Sequence, residues 1–192
     1  MERKVADRTI LDDFTESFCR IAEKHCRYIV CSGFVAIAHG RTRGTEDIDM
    51  IIERLDKERF GKLHKDLIKA GFVCIQSSDV DVLYSTYLND GMSIRYVWNS
   101  ESFAPPEMEI KFPKDDLDED QIKERVKLPM TGLEIYFSSI ESNIAFKEEY
   151  LGTEKDLEDA KHLRIIYQDK IDEDKITKIK QSIKLRKKED ER

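Results

Sequence analysis

The chain of 192 residues is sparing with the residues that usually define specialised classes: four prolines, eight glycines, four cysteines and one tryptophan. With so few Pro and Gly and no internal repeat, a low-complexity or linker-dominated chain is excluded. Cys19, Cys26, Cys31 and Cys74 show no C-x-x-C spacing and sit among apolar neighbours, so they read as small buried thiols, neither a disulfide framework nor a zinc site. No apolar run approaches the roughly 18 residues of a membrane span, and Met1-Glu2-Arg3-Lys4 lacks the apolar core of a signal peptide. A soluble, cytoplasmic protein is expected. Positive charge does not dominate either: 33 Lys+Arg face 40 Asp+Glu, a net charge of −7, which excludes a general nucleic-acid-coating role and leaves room only for local basic patches.

What is present is charge, at 38% of residues, and periodic apolar patterning long enough for one full core. Ile10, Phe14, Phe18 and Ile21 recur on one helical face over residues 9–26, with Asp12, Asp13 and Glu16 placed on the wet side. Strands are predicted at 28–31, 47–53, 72–75, 107–112 and 133–137, and helices at 34–38 and 55–70, the latter ending at Gly71. Residues 80–88 and 92–98 flank Asn89-Asp90-Gly91 and read as a hairpin, although Val80-Asp81-Val82-Leu83 also suits a helix start. The acid-dense stretch 114–125 reads as a solvated loop or helix. Helices are predicted at 140–151 and 155–167, joined at Gly152, and Ile171, Ile176, Ile179 and Ile183 form a further stripe. The tail from Lys175 to Lys188 carries seven Lys or Arg; its isoleucines dock it on the domain, or its cations grip RNA or a partner helix. These elements divide into an α/β (α+β) domain over 1–138, with a mixed sheet flanked by helices, and a C-terminal helical region over 139–192.

The chemistry concentrates between Tyr28 and Glu53. An apolar strand meets Ser32-Gly33, a short helix follows, and Gly40-Arg41-Thr42-Arg43-Gly44-Thr45-Glu46 leads into Asp47-Ile48-Asp49-Met50-Ile51-Ile52. Side chains alternate along a strand, so Asp47 and Asp49 share one face and can converge on a divalent cation. Small residues before a helix can offer backbone N–H groups to phosphate, and Arg41 and Arg43 lie one loop away to neutralise it. In Glu107-Met108-Glu109-Ile110-Lys111-Phe112 the alternation is strict, which places Glu107, Glu109 and Lys111 together opposite the apolar face. His25, His39, His64 and His162 have no mutual metal spacing and read as structural or exposed.

The segment 28–53 resembles the signature of the minimal nucleotidyltransferase superfamily, related to DNA polymerase beta: a small-residue pair before a helix, then a Gly-x-Arg loop ending in Asp-x-Asp. That resemblance implies that Ser32 and Gly33 hold a triphosphate, that Asp47, Asp49 and a third carboxylate, here Glu109, bind two magnesium ions, and that Glu109 activates an acceptor hydroxyl. The family more often has Gly-Gly or Gly-Ser at the pair and Asp as the third acid. Ser139-Ile140-Glu141, Ile144 to Lys147 and Lys155 to Ala160 look like the helical region of the branch of AbiEii-type toxins, which implies Lys147 as a phosphate ligand with Lys155 and Asp156 lining the site. The matches span roughly 27–167. The function they imply is transfer of a nucleoside monophosphate from a nucleoside triphosphate to a hydroxyl of a protein, an RNA or a small molecule. A catalytically weak nucleotide-binding module of toxin-antitoxin type, with a partner protein or a second copy of the chain, is the alternative.

Overall fold

The computed structural model describes residues 8–44, 47–99 and 105–190, so Thr45 and Glu46 of the basic loop lie outside the described residues. The first helix, α1, runs Ile10–Ala22 behind a capping box in which Thr9 Oγ1 accepts from the Asp12 N–H and the Asp12 carboxylate accepts from the Thr9 N–H at 2.8 Å. This corrects the placement of two acids on the wet side. Asp12 is fully buried by its capping role, and Glu16 is buried where Arg8 and Arg20 both reach its carboxylate.

The strands are β1 (Tyr28–Cys31), β2 (Asp47–Ile52), β3 (Phe72–Cys74), β4 (Ile94–Trp98) and β5 (Glu107–Lys111), in spatial order β1-β2-β5-β4-β3. Only β2 and β5 run parallel; the other neighbouring pairs are antiparallel. The sheet is therefore mixed. One face, with Tyr28, Val30, Ile48, Met50, Ile94, Tyr96, Met108 and Ile110, is buried with Phe14 and Phe18 of α1 and with Phe60, Leu63 and Leu67 of α3 (Lys57–Lys69). Burial of each such side chain contributes about 1.5–3 kcal/mol, which makes this layer the principal source of stability. The opposite face carries the charged residues, and its Ile29 and Ile51, with Cys31 against them, pack on Ile122 of α5 (Asp116–Lys123).

Two predicted strands are not strands. Residues 80–88 form a short α4 (Val80–Val82) continuing into a π-helical turn (Leu83–Leu88), with Asp79 capping it and Leu83 and Leu88 buried. Helical spacing brings those two leucines to the core, whereas the Asn89-Asp90-Gly91 turn merely returns the chain to β4. Residues 133–137 stay irregular: Phe137 bridges Val30 and Val126, and the Val30 N–H donates to the Tyr136 carbonyl at 2.9 Å. The stretch borders β1 without joining the sheet as a full strand. The 114–125 segment settles as helix because Asp115 accepts from the N–H groups of Leu117 and Asp118.

Between β1 and β2 lies α2 (Gly33–Ala38). The C-terminal part contributes α6 (Ile140–Ala145), a π-helical continuation (Phe146–Leu151), α7 (Glu154–Ile166) and α8 (Glu173–Asp190). Gly152 takes φ 67°, the left-handed conformation that lets the chain turn between the two helices. Ile144, Ala160, Leu163, Ile176 and Ile183 belong to the same hydrophobic cluster as the sheet residues. The isoleucine stripe of α8 is thus a docking face, and Lys175, Lys180 and Lys184 of its polar side pair with Glu124, Glu148 and Glu149.

Candidate functional site

The register of the two parallel strands assembles the acids. Asp47 lies beside Glu107 and Asp49 beside Glu109, and neighbouring residues in register point to the same face. Asp49 and Glu109 thus share the open face next to Lys111 of β5, while Cys31 of β1 lies beside Asp49 on the other side. Asp49 is half-buried, and its carboxyl is pushed up, first by loss of hydration and then by the charges of Glu109 and Asp47, against a lowering hydrogen bond from Ser32.

Ser32 reaches Asp49 from an unusual backbone. Its φ of 62° and ψ of −132° make it the one non-glycine residue with positive φ among the described residues, and its hydroxyl does not cap α2. Such a conformation costs on the order of 1–3 kcal/mol and is held only where surrounding packing fixes it. Gly33 follows for a steric reason. A Cβ at that position would come within 3.1 Å of the Arg43 guanidinium.

Glu109 is engaged by a neighbour. Arg95 on β4 lies opposite it in register and donates from Nη2 to Oε2 at 2.7 Å and from Nε at 2.9 Å. Among the described residues no three His, Cys, Asp or Glu side chains are gathered closely enough to hold a metal ion. The donor types nevertheless suit magnesium: Asp47 and Asp49 are hard oxygen ligands on one face, and the mutual charge raising Asp49 is what a cation would offset.

The three predicted phosphate cations meet on one residue. Asp159 of α7, fully buried, forms ion pairs with Arg41 and Arg43 and accepts from Lys147 Nζ at 2.8 Å. Arg41 also pairs with Glu158 and donates to the Lys155 carbonyl at 3.1 Å, and Lys147 stands 3.5 Å from Asp156. Lys155 Nζ donates to the Gly44 carbonyl at 3.1 Å, so α7 clasps the basic loop from both ends. Burial brings the Lys147 amine down to about 8, with Arg43 acting in the same direction and Asp156 opposing. Arg43 is likewise lowered, chiefly by burial and by Arg41.

Asp49, Ser32 and Lys147 line one pocket of about 200 Å³, walled by the sheet face, α5, the π-helical turn and α8. Lys111, Lys114, Arg186 and Lys187 bring further positive charge to the pocket, against Asp49, Asp115 and Asp118. The pocket places Ser32, Asp49 and Lys147 together; Asp47, Glu109, Arg41 and Arg43 lie outside its lining. The four cysteines are unpaired, and the histidines are used structurally: His25 on Asp66, His39 on Tyr167, His64 on Tyr96 and His162 on the His39 carbonyl.

Sequence reasoning missed Arg95 and Asp159. The strict alternation Ile94-Arg95-Tyr96 gave Arg95 a face, but the partner strand that puts it on Glu109 is not written in the local sequence. Asp159 had a readable signal: an acid beside Ala160 and one turn before Leu163, on the apolar stripe of its helix.

No protein-family model matches the sequence, and no curated protein does. Solved structures do. The solution structure of the antibiotic-resistance factor ANT(2'')-Ia superposes with a TM-score of 0.57 at 14% identity, over 93% of this chain and 94% of that one. The crystal structure of ANT(2'')-Ia in complex with adenylyl-2''-tobramycin gives 0.51 at 15% identity, over 93% and 99%. An antigenic nucleotidyltransferase-like protein from Paracoccidioides brasiliensis gives 0.51 at 15% identity, over 82% and 76%. The fold is nucleotidyltransferase-like. Within that nucleotidyltransferase-like fold, β2 and β5 are the strands that carry the acids, and the helices after residue 138 supply Lys147 and Asp159.

Proposed function

We propose that the protein is a nucleotidyltransferase that moves a nucleoside monophosphate from a nucleoside triphosphate to a hydroxyl acceptor, whether protein, RNA or small molecule. One observation carries this reading: Asp49 and Glu109 stand side by side on adjacent parallel strands, with Asp47 on the same face and the pocket containing Ser32 and Lys147 beside them. The triphosphate lies in the pocket, its charge met there by Lys147, while Arg41 and Arg43 stand behind Lys147 on the shared Asp159. Asp47 and Asp49 hold magnesium, with Glu109 as the third carboxylate. When bound, the metal neutralises phosphate charge and polarises the phosphorus for attack. Glu109 takes the proton from the acceptor hydroxyl. The acceptor oxygen bonds to the α-phosphorus as the α–β bridging P–O bond breaks, and pyrophosphate leaves with the electron pair. Arg95 holds the Glu109 carboxylate in place before the acceptor arrives. The nucleotidyltransferase-like fold supports the same reading, since one solved relative is complexed with adenylyl-2''-tobramycin, an adenylylated acceptor.

The test is calorimetric titration of the four common nucleoside triphosphates with and without magnesium. Magnesium-dependent binding that disappears in Asp47→Ala/Asp49→Ala is the expected result, followed by pyrophosphate release with a suitable acceptor. Binding that ignores both magnesium and the two aspartates sinks the proposal.

The Arg95–Glu109 pair favours a second reading, a nucleotide-binding or toxin-antitoxin-type interaction module with weak chemistry. A carboxylate oxygen already taken by two guanidinium N–H donors is less free to meet an acceptor hydroxyl. Tight magnesium-dependent nucleotide binding without pyrophosphate release across a broad acceptor panel selects this second reading.

A further inference from the structure

Asn143 lies in the wall of the pocket and is 4% exposed. Its Nδ2 serves the Ser138 carbonyl at 3.0 Å, the Ser138 hydroxyl at 2.7 Å and the Ser139 carbonyl at 3.0 Å. Carbonyl oxygens only accept, so the amide can sit only one way round, with nitrogen on the 138–139 corner. That corner is itself pinned. The Ser138 N–H donates to the Val30 carbonyl at 3.1 Å, and Ser139 caps α6 through the Ser142 N–H. With its nitrogen turned to that corner, Asn143 has Oδ1 left to face the pocket, on a side chain that is nearly all buried and rigidly placed.

An amide oxygen whose nitrogen is fully committed can only accept, and it repels phosphate oxygens; the group that meets it must be a donor. Lys147, the proposed phosphate ligand, lies four residues later, one turn and about 6 Å along the same helix. In a nucleoside triphosphate the donors at that distance from the phosphates are the ribose hydroxyls. We propose that Asn143 Oδ1 accepts a hydrogen bond from a ribose hydroxyl and makes the pocket selective for ribonucleotides. This inference rests on the nucleotide reading above and adds the sugar to it.

The test needs no mutation at first. The four ribonucleoside triphosphates are titrated with magnesium into the intact protein against their 2′-deoxy and 3′-deoxy counterparts. Removal of the recognised hydroxyl is expected to weaken binding about tenfold, because a buried acceptor is left unpaired. Asn143→Ala is expected to lower ribonucleotide affinity to the deoxy level and leave the deoxy series unchanged. Equal affinity of ribo and deoxy forms in the intact protein overturns the sugar contact while leaving nucleotide binding in place. Retained discrimination in Asn143→Ala overturns the assignment to this residue, and no binding of any triphosphate overturns both this inference and the reading beneath it. Should circular dichroism show that Asn143→Ala does not fold, Asn143→Ser takes its place with the same expectations.

Discussion

Arg95 and Glu109 face each other across β4 and β5 with a guanidinium-to-carboxylate distance of 2.7 Å, so the third carboxylate of the face enters any reaction already paired. Both partners keep some solvent contact, which limits the pair to about 1 kcal/mol or less. Arg95→Ala is therefore expected to leave stability within about 1 kcal/mol and to raise magnesium affinity a few-fold by removing a nearby positive charge. Glu109→Ala is expected to lower transfer by about 100-fold or more as the proton acceptor is lost. Metal titration and pyrophosphate-release rates read the two effects separately.

Asp159→Ala removes the one buried carboxylate shared by Arg41, Arg43 and Lys147. Lys147, buried to 1% exposure, would keep only Asp156, at 3.5 Å. A loss of about 3–5 kcal/mol is expected from leaving buried charge uncompensated, measured as the shift in urea-unfolding free energy.

Ser32→Gly is expected to stabilise the fold by about 1 kcal/mol, because glycine reaches φ 62° without the Cβ penalty. It also deletes the hydroxyl that lowers Asp49, so nucleotide binding should weaken even as the urea midpoint rises. A fall in both would show that the conformation is not strained.

Gly33→Ala inserts a methyl 3.1 Å from the flexible end of Arg43. A stability change below about 1 kcal/mol and a weaker triphosphate affinity are expected, since the side chain can shift but leaves its place at the loop. Comparing unfolding curves with calorimetric binding separates the two.

Lys147 sets a pH window. The folded chain releases this proton near 8 and the unfolded chain near 10.5, so between those values the unfolded state holds more protons and stability from this group rises with pH. Lys147→Met should flatten that part of the unfolding profile. Triphosphate binding should run the other way, falling above about pH 8 as the amine loses its charge.

The sequence carried most of the sheet because Ile48-Asp49-Met50 and Met108-Glu109-Ile110 alternate strictly, and alternation fixes which face each acid occupies. It did not carry the pairing of β2 with β5. Register depends on strands some 60 residues apart, and nothing local to Glu109 names Asp49 as its neighbour. The 80–88 segment misled because its β-branched and aromatic residues suit a strand, while burial of Leu83 and Leu88 rewards a helical turn. Residues 133–137 had strand composition but only one position, Phe137, meets partners that can bridge to it. Arg41, Arg43 and Lys147 were legible as cations, and Asp159, which gathers them, needed the tertiary packing of α7 on the loop.

Helix α8 has a consequence for how the cleft is built. Ile183, Arg186 and Lys187 of α8 form part of the pocket wall, and Lys187 Nζ donates to the carbonyls of Glu149 at 2.6 Å and Tyr150 at 3.3 Å. The acids of β2 leave the ribosome more than a hundred residues before that wall exists. During translation the chain therefore carries an open, half-built cleft until α8 has emerged and docked as its closed side.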